Sequence, residues 1–184
     1  HSAAVDRYAP SGTRSSLTAL STIRFRLAAS TDGGGNVLFG GGSYTSSVAV
    51  VEKYSLGGVK STLTDLSVER GGFAAATDGK GNVFFGGGSG DGSGNYLAIV
   101  DQYTPGGVRS TLPSLSIPRD YLAAATDGGG NVLFGGGGNG GNGHVAAVDK
   151  YVLDNRVTLP ILIGAQYKFE EHSVERTAMS GEIT

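Results

Sequence analysis

The residues best equipped for chemistry in this chain of 184 are few, and their spacing argues against catalysis. His1, His144 and His172 fall at a terminus, in a glycine-rich loop and in the C-terminal stretch, with no metal-ligand spacing among them. Cysteine is absent, which removes thiolate metal sites and disulfides. Serines are many, but no Gly-x-Ser-x-Gly elbow accompanies them. Glycine runs follow strand-like segments, yet no helix and no Lys-Ser/Thr pair comes after to cradle a phosphate. Glycoside hydrolysis needs two carboxylates across a cleft. Asp91 and Asp120 could share a face, but nothing in the sequence selects them as such a pair. The expectation is a protein that is not an enzyme and uses no cofactor and no metal.

What the sequence offers instead is a set of aromatic and polar side chains in segments of unequal length. Tyr44 lies in one such segment, Asp91, Asn95 and Tyr96 in a second, and Asn142 and His144 in a third, with Asp120 and Tyr121 just after an arginine. Aromatic rings beside Asn, Asp and Arg stack on and hydrogen-bond to sugars or a protein surface, and loops on a rigid scaffold commonly carry such work. These eight are the candidate ligand-binding residues. The plainer reading, in which the Gly and Asn of these loops are spacers, stands beside it.

The elements that would hold them are read from a repeat. Val5-Asp6-Arg7-Tyr8, Val51-Glu52-Lys53-Tyr54, Val100-Asp101-Gln102-Tyr103 and Val148-Asp149-Lys150-Tyr151 place tyrosines 46, 49 and 48 residues apart. Four strand-like segments fall in each unit. The first covers residues 27–31, 73–77 and 122–126 and runs into Asp-Gly-x-Gly-Asn, a tight hairpin signal. The second covers 37–39, 83–85 and 132–134, each ending in three glycines, which suits a close approach between neighbouring sheets. The Val-acid-x-Tyr signature is the third. A short Gly-Gly turn leads to the fourth, at 59–63 and 108–112. Four strands in about 48 residues mark a propeller blade, so the expected fold is all-β, a β-propeller of four-stranded blades. With 33 glycines and 5 prolines the chain stays below the low-complexity range of about 25–30%, and the in-register apolar pattern argues against disorder.

The diglycine ending the second strand, followed by a tyrosine in the third, resembles the kelch repeat over residues 1 to about 160. It departs from the usual kelch unit in having no tryptophan; Leu17, Leu63, Leu112 and Leu159 stand at the comparable place. The fuller string Arg119-x-x-Leu122-Ala123-Ala124-Ala125-Thr126, then Asn131-Val132-Leu133-Phe134-Gly135-Gly136-Gly137 and Val148-Asp149-x-Tyr151, resembles the kelch-like repeats of tail-associated proteins in phages and prophages of Gram-positive bacteria. Residues 109–116 fit that pattern closely. The resemblance implies a virion or extracellular module with other virion or tail proteins, or copies of itself, as partners and a cell-surface glycan as a possible ligand. It carries over no catalytic residues.

Charge and hydropathy narrow the partners. The net charge is −2, with no basic run longer than two residues, so the footprint for nucleic acid is missing. No apolar run approaches the roughly 18–20 residues of a membrane span, so no membrane insertion is expected. Aligned on Arg24, Arg70 and Arg119, the units become blades at about 24–67, 70–116 and 119–160, preceded by a half blade at 1–20. Residues 161–184 leave the repeat, and residues 167–170 alternate as a different strand would. Three and a half blades fall short of the usual four to eight. The tail could complete a fourth blade with residues 1–20 or dock on a sister chain, or further blades could lie upstream. Beginning within a blade favours the last, so a truncated or processed chain, or an assembly, is expected.

In a four-stranded antiparallel blade the turns joining strands one to two and three to four share one face, and the other connections share the opposite face. The first face receives the near-identical short turns; the second receives connections of 15, 18 and 17 residues from strand-two Phe to Tyr, and with them the eight candidates. The recurring arginines are expected to be structural, capping carbonyls or pairing with an acid. Asp32, Asp78 and Asp127 are better explained by Asx turns than by calcium.

Overall fold

The computed structural model describes residues 2–92, 94–140, 143–152 and 160–163. These residues form fourteen short strands and no helix. Strands β1 (Val5–Tyr8) and β2 (Arg14–Leu17) make a two-stranded sheet. Three four-stranded meanders follow. The first is β3 (Ala28–Thr31), β4 (Val37–Gly40), β5 (Val51–Tyr54) and β6 (Lys60–Thr62). The second is β7 (Ala74–Thr77), β8 (Val83–Gly86), β9 (Val100–Tyr103) and β10 (Arg109–Leu112). The third is β11 (Ala123–Thr126), β12 (Val132–Gly135), β13 (Val148–Tyr151) and β14 (Pro160–Ile163). All pairings are antiparallel with the same register: Val37↔Tyr54, Val83↔Tyr103 and Val132↔Tyr151 lie opposite one another.

One boundary moves. The fourth strand of the third blade is Pro160–Ile163, and Ile163 stands opposite Val148 as Leu112 stands opposite Val100 and Leu17 opposite Val5. The blade therefore takes in residues 161–163, which the sequence reading gave to the tail, because ladder register and not residue type fixes the alignment. Leu159, expected at that place, and the alternating stretch 167–170 lie outside the described residues.

The Ala-rich strands β3, β7 and β11 are the innermost and lie side by side in that order. Small side chains suit this crowded position. The cores lie between successive sheets. One joins Leu38, Val51 and Leu66 of the first blade to Phe73, Val83, Phe85 and Tyr103 of the second. Another joins Phe84, Val100 and Leu115 of the second to Leu122, Val132, Phe134 and Tyr151 of the third. A smaller one holds Val5, Leu20 and Tyr54. The glycine runs make these interfaces possible. A Cβ on Gly40 would lie 3.0 Å from the Phe85 ring of the next blade, and one on Gly86 would lie 2.6 Å from the Phe134 ring.

The signature tyrosine stitches blade to blade. Tyr54 Oη donates to the Thr18 carbonyl at 2.7 Å, Tyr103 to Thr64 at 2.8 Å and Tyr151 to Pro113 at 2.6 Å. Each ring also meets the strand-two Phe of its own blade edge to face, at 5.7, 5.7 and 5.9 Å. Burial raises the Tyr103 and Tyr151 hydroxyls above the ordinary phenol range, so they remain donors.

Candidate functional site

Two kinds of arginine occupy the ends of the innermost strands, and they do different things. The recurring one lies inside the blade. Arg24 pairs with Glu52 at 2.8 Å, Arg70 with Asp101 at 3.0 Å and Arg119 with Asp149 at 2.9 Å, with every partner side chain fully buried. Arg70 also donates to the Val68 and Phe85 carbonyls, and Arg119 to Ile117 and Phe134. The acid is that of the Val-acid-x-Tyr signature. It accepts further bonds from the backbone amide of Ser21, Ser67 or Ser116. Burial would raise the Asp101 carboxyl, but Arg70, Ser67 and Thr111 together hold it below its ordinary value. Burial lowers Arg70, and Asp101 opposes that shift. These pairs bear out the structural reading of the arginines.

The second kind is Arg26, two residues on. Arg26 and Tyr121 are the non-glycine residues with positive φ among the described residues, at 58° and 50°. In the repeat they share one position with Gly72, whose φ is 69°. Backbone bonds link the three: the Gly72 amide donates to the Arg26 carbonyl at 2.8 Å, and the Tyr121 amide to the Gly72 carbonyl at 2.6 Å. The turn therefore requires a left-handed residue in every blade. Glycine meets that requirement without strain, whereas a side chain there is held at a cost of about 1–3 kcal/mol.

The Arg26 side chain runs across the second blade over Gly71 and Gly72. A Cβ on Gly72 would come within 2.9 Å of its Nη2. That nitrogen donates to Ser89 Oγ at 2.7 Å and to Asp120 Oδ2 at 3.2 Å, and Ser89 Oγ donates to the same carboxylate at 3.1 Å. The guanidinium lies over the Tyr121 ring, 5.0 Å from its centre, and Tyr121 is 67% exposed. Residues from three blades thus meet at the mouth of the innermost strands: a cation, a carboxylate, a hydroxyl and an open aromatic face. Asp120 and Ser89 are buried and bonded within the cluster, so what it offers outward is the partly exposed Arg26 guanidinium and the Tyr121 ring, a donor and a stacking face.

The other predicted residues surround this cluster in unequal states. The connections between strands two and three run beside those between strands four and one, as the bridges Phe25↔Ser43, Gly71↔Ser89 and Asp120↔Gly138 show. Tyr44 is 51% exposed in the first such connection. Asp91 accepts a bond from the Ser47 amide of the neighbouring blade at 2.7 Å, and the Asn95 side chain donates to its backbone carbonyl at 3.4 Å. This pair braces the loop. Tyr96 is half-buried and lies against Gly140 of the third blade. His144 is exposed and bridges to Gly138. Asn142 lies outside the described residues. The structure thus brings Asp120 and Tyr121 into one cluster, while Tyr44, Tyr96 and His144 belong to separate loops.

Arg26 and Ser89 were not among the candidates. A signal for Arg26 existed: where Arg, Gly and Tyr alternate at one repeat position, the glycine betrays a left-handed slot, and bulky residues in that slot are held there by their surroundings.

On the opposite face Asp32, Asp78 and Asp127 make the expected Asx turns. Asp32 Oδ1 accepts from the amides of Gly34 and Asn36 at 2.9 and 3.1 Å while its Oδ2 accepts from the Asn36 side chain, and the other two repeat the arrangement. Asn131 and Lys150 hold the Asp127 carboxyl far below its ordinary value. Among the described residues no three of His, Cys, Asp and Glu gather as metal ligands.

Sheets of four antiparallel strands, cored between neighbours with the first strand innermost, define an all-β, propeller-like fold of four-stranded blades. Among solved structures the fold is similar to that of YjhT, with a TM-score of 0.70 at 15% identity over 86% of this chain. The chain spans 52% of YjhT, about half its length. No family model and no curated protein matches the sequence.

Proposed function

We propose that this protein is a non-catalytic binding module whose variable-loop face recognises a cell-surface glycan or protein, with the mouth cluster at its centre. The observation that carries the reading is the pair of non-glycine residues held left-handed at that mouth, Arg26 and Tyr121, joined across three blades by Asp120 and Ser89. Strain kept at one repeat position, beside an exposed aromatic ring, is what a site for a ligand looks like and what a blade interior avoids. The resemblance of the repeats to phage tail-associated proteins supports a virion or extracellular setting, with tail proteins as neighbours.

The test is adhesion to bacterial cells or an immobilised glycan panel. Tyr121→Ala and Arg26→Ala should each lower binding at least about tenfold, the scale of a lost central contact. Melting should stay nearly unchanged in Tyr121→Ala and fall in Arg26→Ala, which leaves the buried Asp120 carboxylate without its cation. Tyr96→Ala should have a smaller effect. Undiminished adhesion in the Tyr121→Ala, Arg26→Ala double variant would sink the face assignment. A second reading, a structural subunit of a fibre or particle, is favoured by one observation, the strand pair β1–β2 that has no inner strands among the described residues.

A further inference from the structure

The β1–β2 sheet has the register of the outer half of a blade, and the surfaces around it are incomplete in a patterned way. Val5↔Leu17 pairs as Val100↔Leu112 does, so β1 corresponds to β5, β9 and β13. In the complete blades the inner side of that strand is covered by a Val-x-Phe-Gly strand. On β1 it is bare. The consequences appear residue by residue. The signature tyrosine is at most 2% exposed in the three blades but 66% exposed at Tyr8. The signature acid is sealed against a buried arginine at Glu52, Asp101 and Asp149; Asp6 has a side chain 36% exposed, with the exposed Arg14 as its cation at 3.5 Å.

The neighbouring blade shows the matching imprint. Phe85 and Phe134 are fully buried because each ring seats on a glycine of the blade before it, Gly40 or Gly86. Phe39, their counterpart in the first blade, faces the β1–β2 sheet and is only half-buried. Likewise the Gly42 amide donates to the Arg70 carbonyl at 2.9 Å and the Gly88 amide to Arg119 at 2.8 Å, which sets Arg24 as the next carbonyl in the series.

We infer that the inner edge of β1 is a docking site for one further inner hairpin of this repeat type, of the form Arg-x-x-φ-Ala-Ala-x-Thr-Asp-Gly-x-Gly-Asn-Val-x-Phe-Gly-Gly-Gly, where φ is apolar. Its Val-x-Phe-Gly strand pairs with Val5–Tyr8, placing Val opposite Tyr8, Phe opposite Asp6 and the first Gly opposite Val5. Its arginine meets Asp6 as Arg70 meets Asp101. Its glycines receive the Phe39 ring, and the amide of the third reaches the Arg24 carbonyl. The three hairpins of the described blades are all engaged in their own sheets, so the occupant is a fourth. Backbone pairing supplies affinity, and the Asp6 and Phe39 contacts supply the choice of partner.

The probe is a synthetic peptide with the sequence of residues 70–88, added to the whole chain and followed by amide hydrogen exchange. Protection of Val5–Tyr8 is expected to rise at least about tenfold, as for edge amides drawn into a ladder. Exchange in β5 and β9 should not change. The Arg70→Ala peptide, or the Asp6→Asn protein, should bind about tenfold more weakly, since either change removes one charged hydrogen-bond partner. Isolated hairpins are marginal in water, so a second variant carries a copy of residues 119–147 fused directly ahead of Val5. It should protect β1 to the level of β9 and shelter Tyr8 from solvent quenching of its fluorescence. Unchanged exchange at Val5–Tyr8 in the fused variant would overturn the inference. So would concentration-dependent protection of β1 without peptide, which would mean that a second copy covers the edge.

Discussion

The blade interior and the mouth each hold an arginine–aspartate pair, Arg70–Asp101 at 3.0 Å and Arg26–Asp120 at 3.2 Å, and the same chemistry serves different ends. In the first, both side chains are fully buried and the carboxylate also accepts from Ser67, Thr111 and Arg109. Nothing is left to offer a ligand. In the second, Arg26 keeps 27% of its side chain exposed and leans on a ring that faces solvent. The interior pair recurs in every blade with an acid from the signature; the mouth pair occurs once and joins residues 94 positions apart. Repetition marks what builds the blade, and departure from repetition marks what the blade presents.

The sharpest way to break that contrast is to remove each carboxylate in turn. Asp101→Ala leaves Arg70 buried and unpaired, and should cost about 3–5 kcal/mol. Melting should fall on the order of 10 °C for a chain of this size. Asp120→Ala should cost about 1 kcal/mol, because Arg26 can turn to water. Calorimetry on the two variants decides the matter. Equal losses would mean that the mouth pair is as structural as the interior one.

Acid separates the same regions. Asp101 has a folded value below its unfolded one, so its contribution is present above the unfolded carboxylate range of about 3.9 and is lost as pH falls through the lower folded value. Asp32 and Asp127 are shifted in the same direction. Stability should therefore drop between about pH 4 and pH 2. In Asp101→Asn, urea midpoints measured across that range should fall less steeply with acid than in the native chain, whatever their absolute level. A slope as steep as the native one would assign the acid sensitivity to the Asx turns.

Most of the scaffold was legible because its causes are local and recur. Asp-Gly-x-Gly-Asn marked the hairpins, Val-acid-x-Tyr matched β1, β5, β9 and β13 to the residue, and the glycine triplets marked the close approach filled by Phe85 and Phe134. The partner of each recurring arginine was less visible, since Arg70 and Asp101 are 31 residues apart and meet only when the blade folds. The mouth was legible in outline alone. Parity placed the variable connections on one face, but it gave no means to see that Asp91 would brace Ser47, or that Arg26 would cross a whole blade to Asp120. Those contacts depend on how blades stack, which no single unit encodes. The fourth strand of the third blade was misplaced for a related reason: Ile163 occupies its place through register with Val148, in a segment where the repeat's residue types have faded.

The smallest expected effect on stability is also the most discriminating, because it should separate stability from binding. Tyr121 holds φ at 50° where the second blade has Gly72 at 69°. Tyr121→Gly relieves a left-handed side chain that costs about 1–2 kcal/mol and gives up a cation–π contact of about 0.5–1 kcal/mol at this exposed site. Glycine's larger conformational entropy in the unfolded chain offsets part of the remainder. The net change should lie within about 1 kcal/mol of zero, while ligand binding through the exposed ring is lost. Gly72→Tyr is the converse: it puts strain into the second blade and displaces Arg26 from its bed, so it should lower stability and binding together. If Tyr121→Gly instead lowers the melting temperature by more than about 4 °C, the ring is a structural prop of the mouth, and the left-handed residues mark packing between blades and not a surface kept for a ligand.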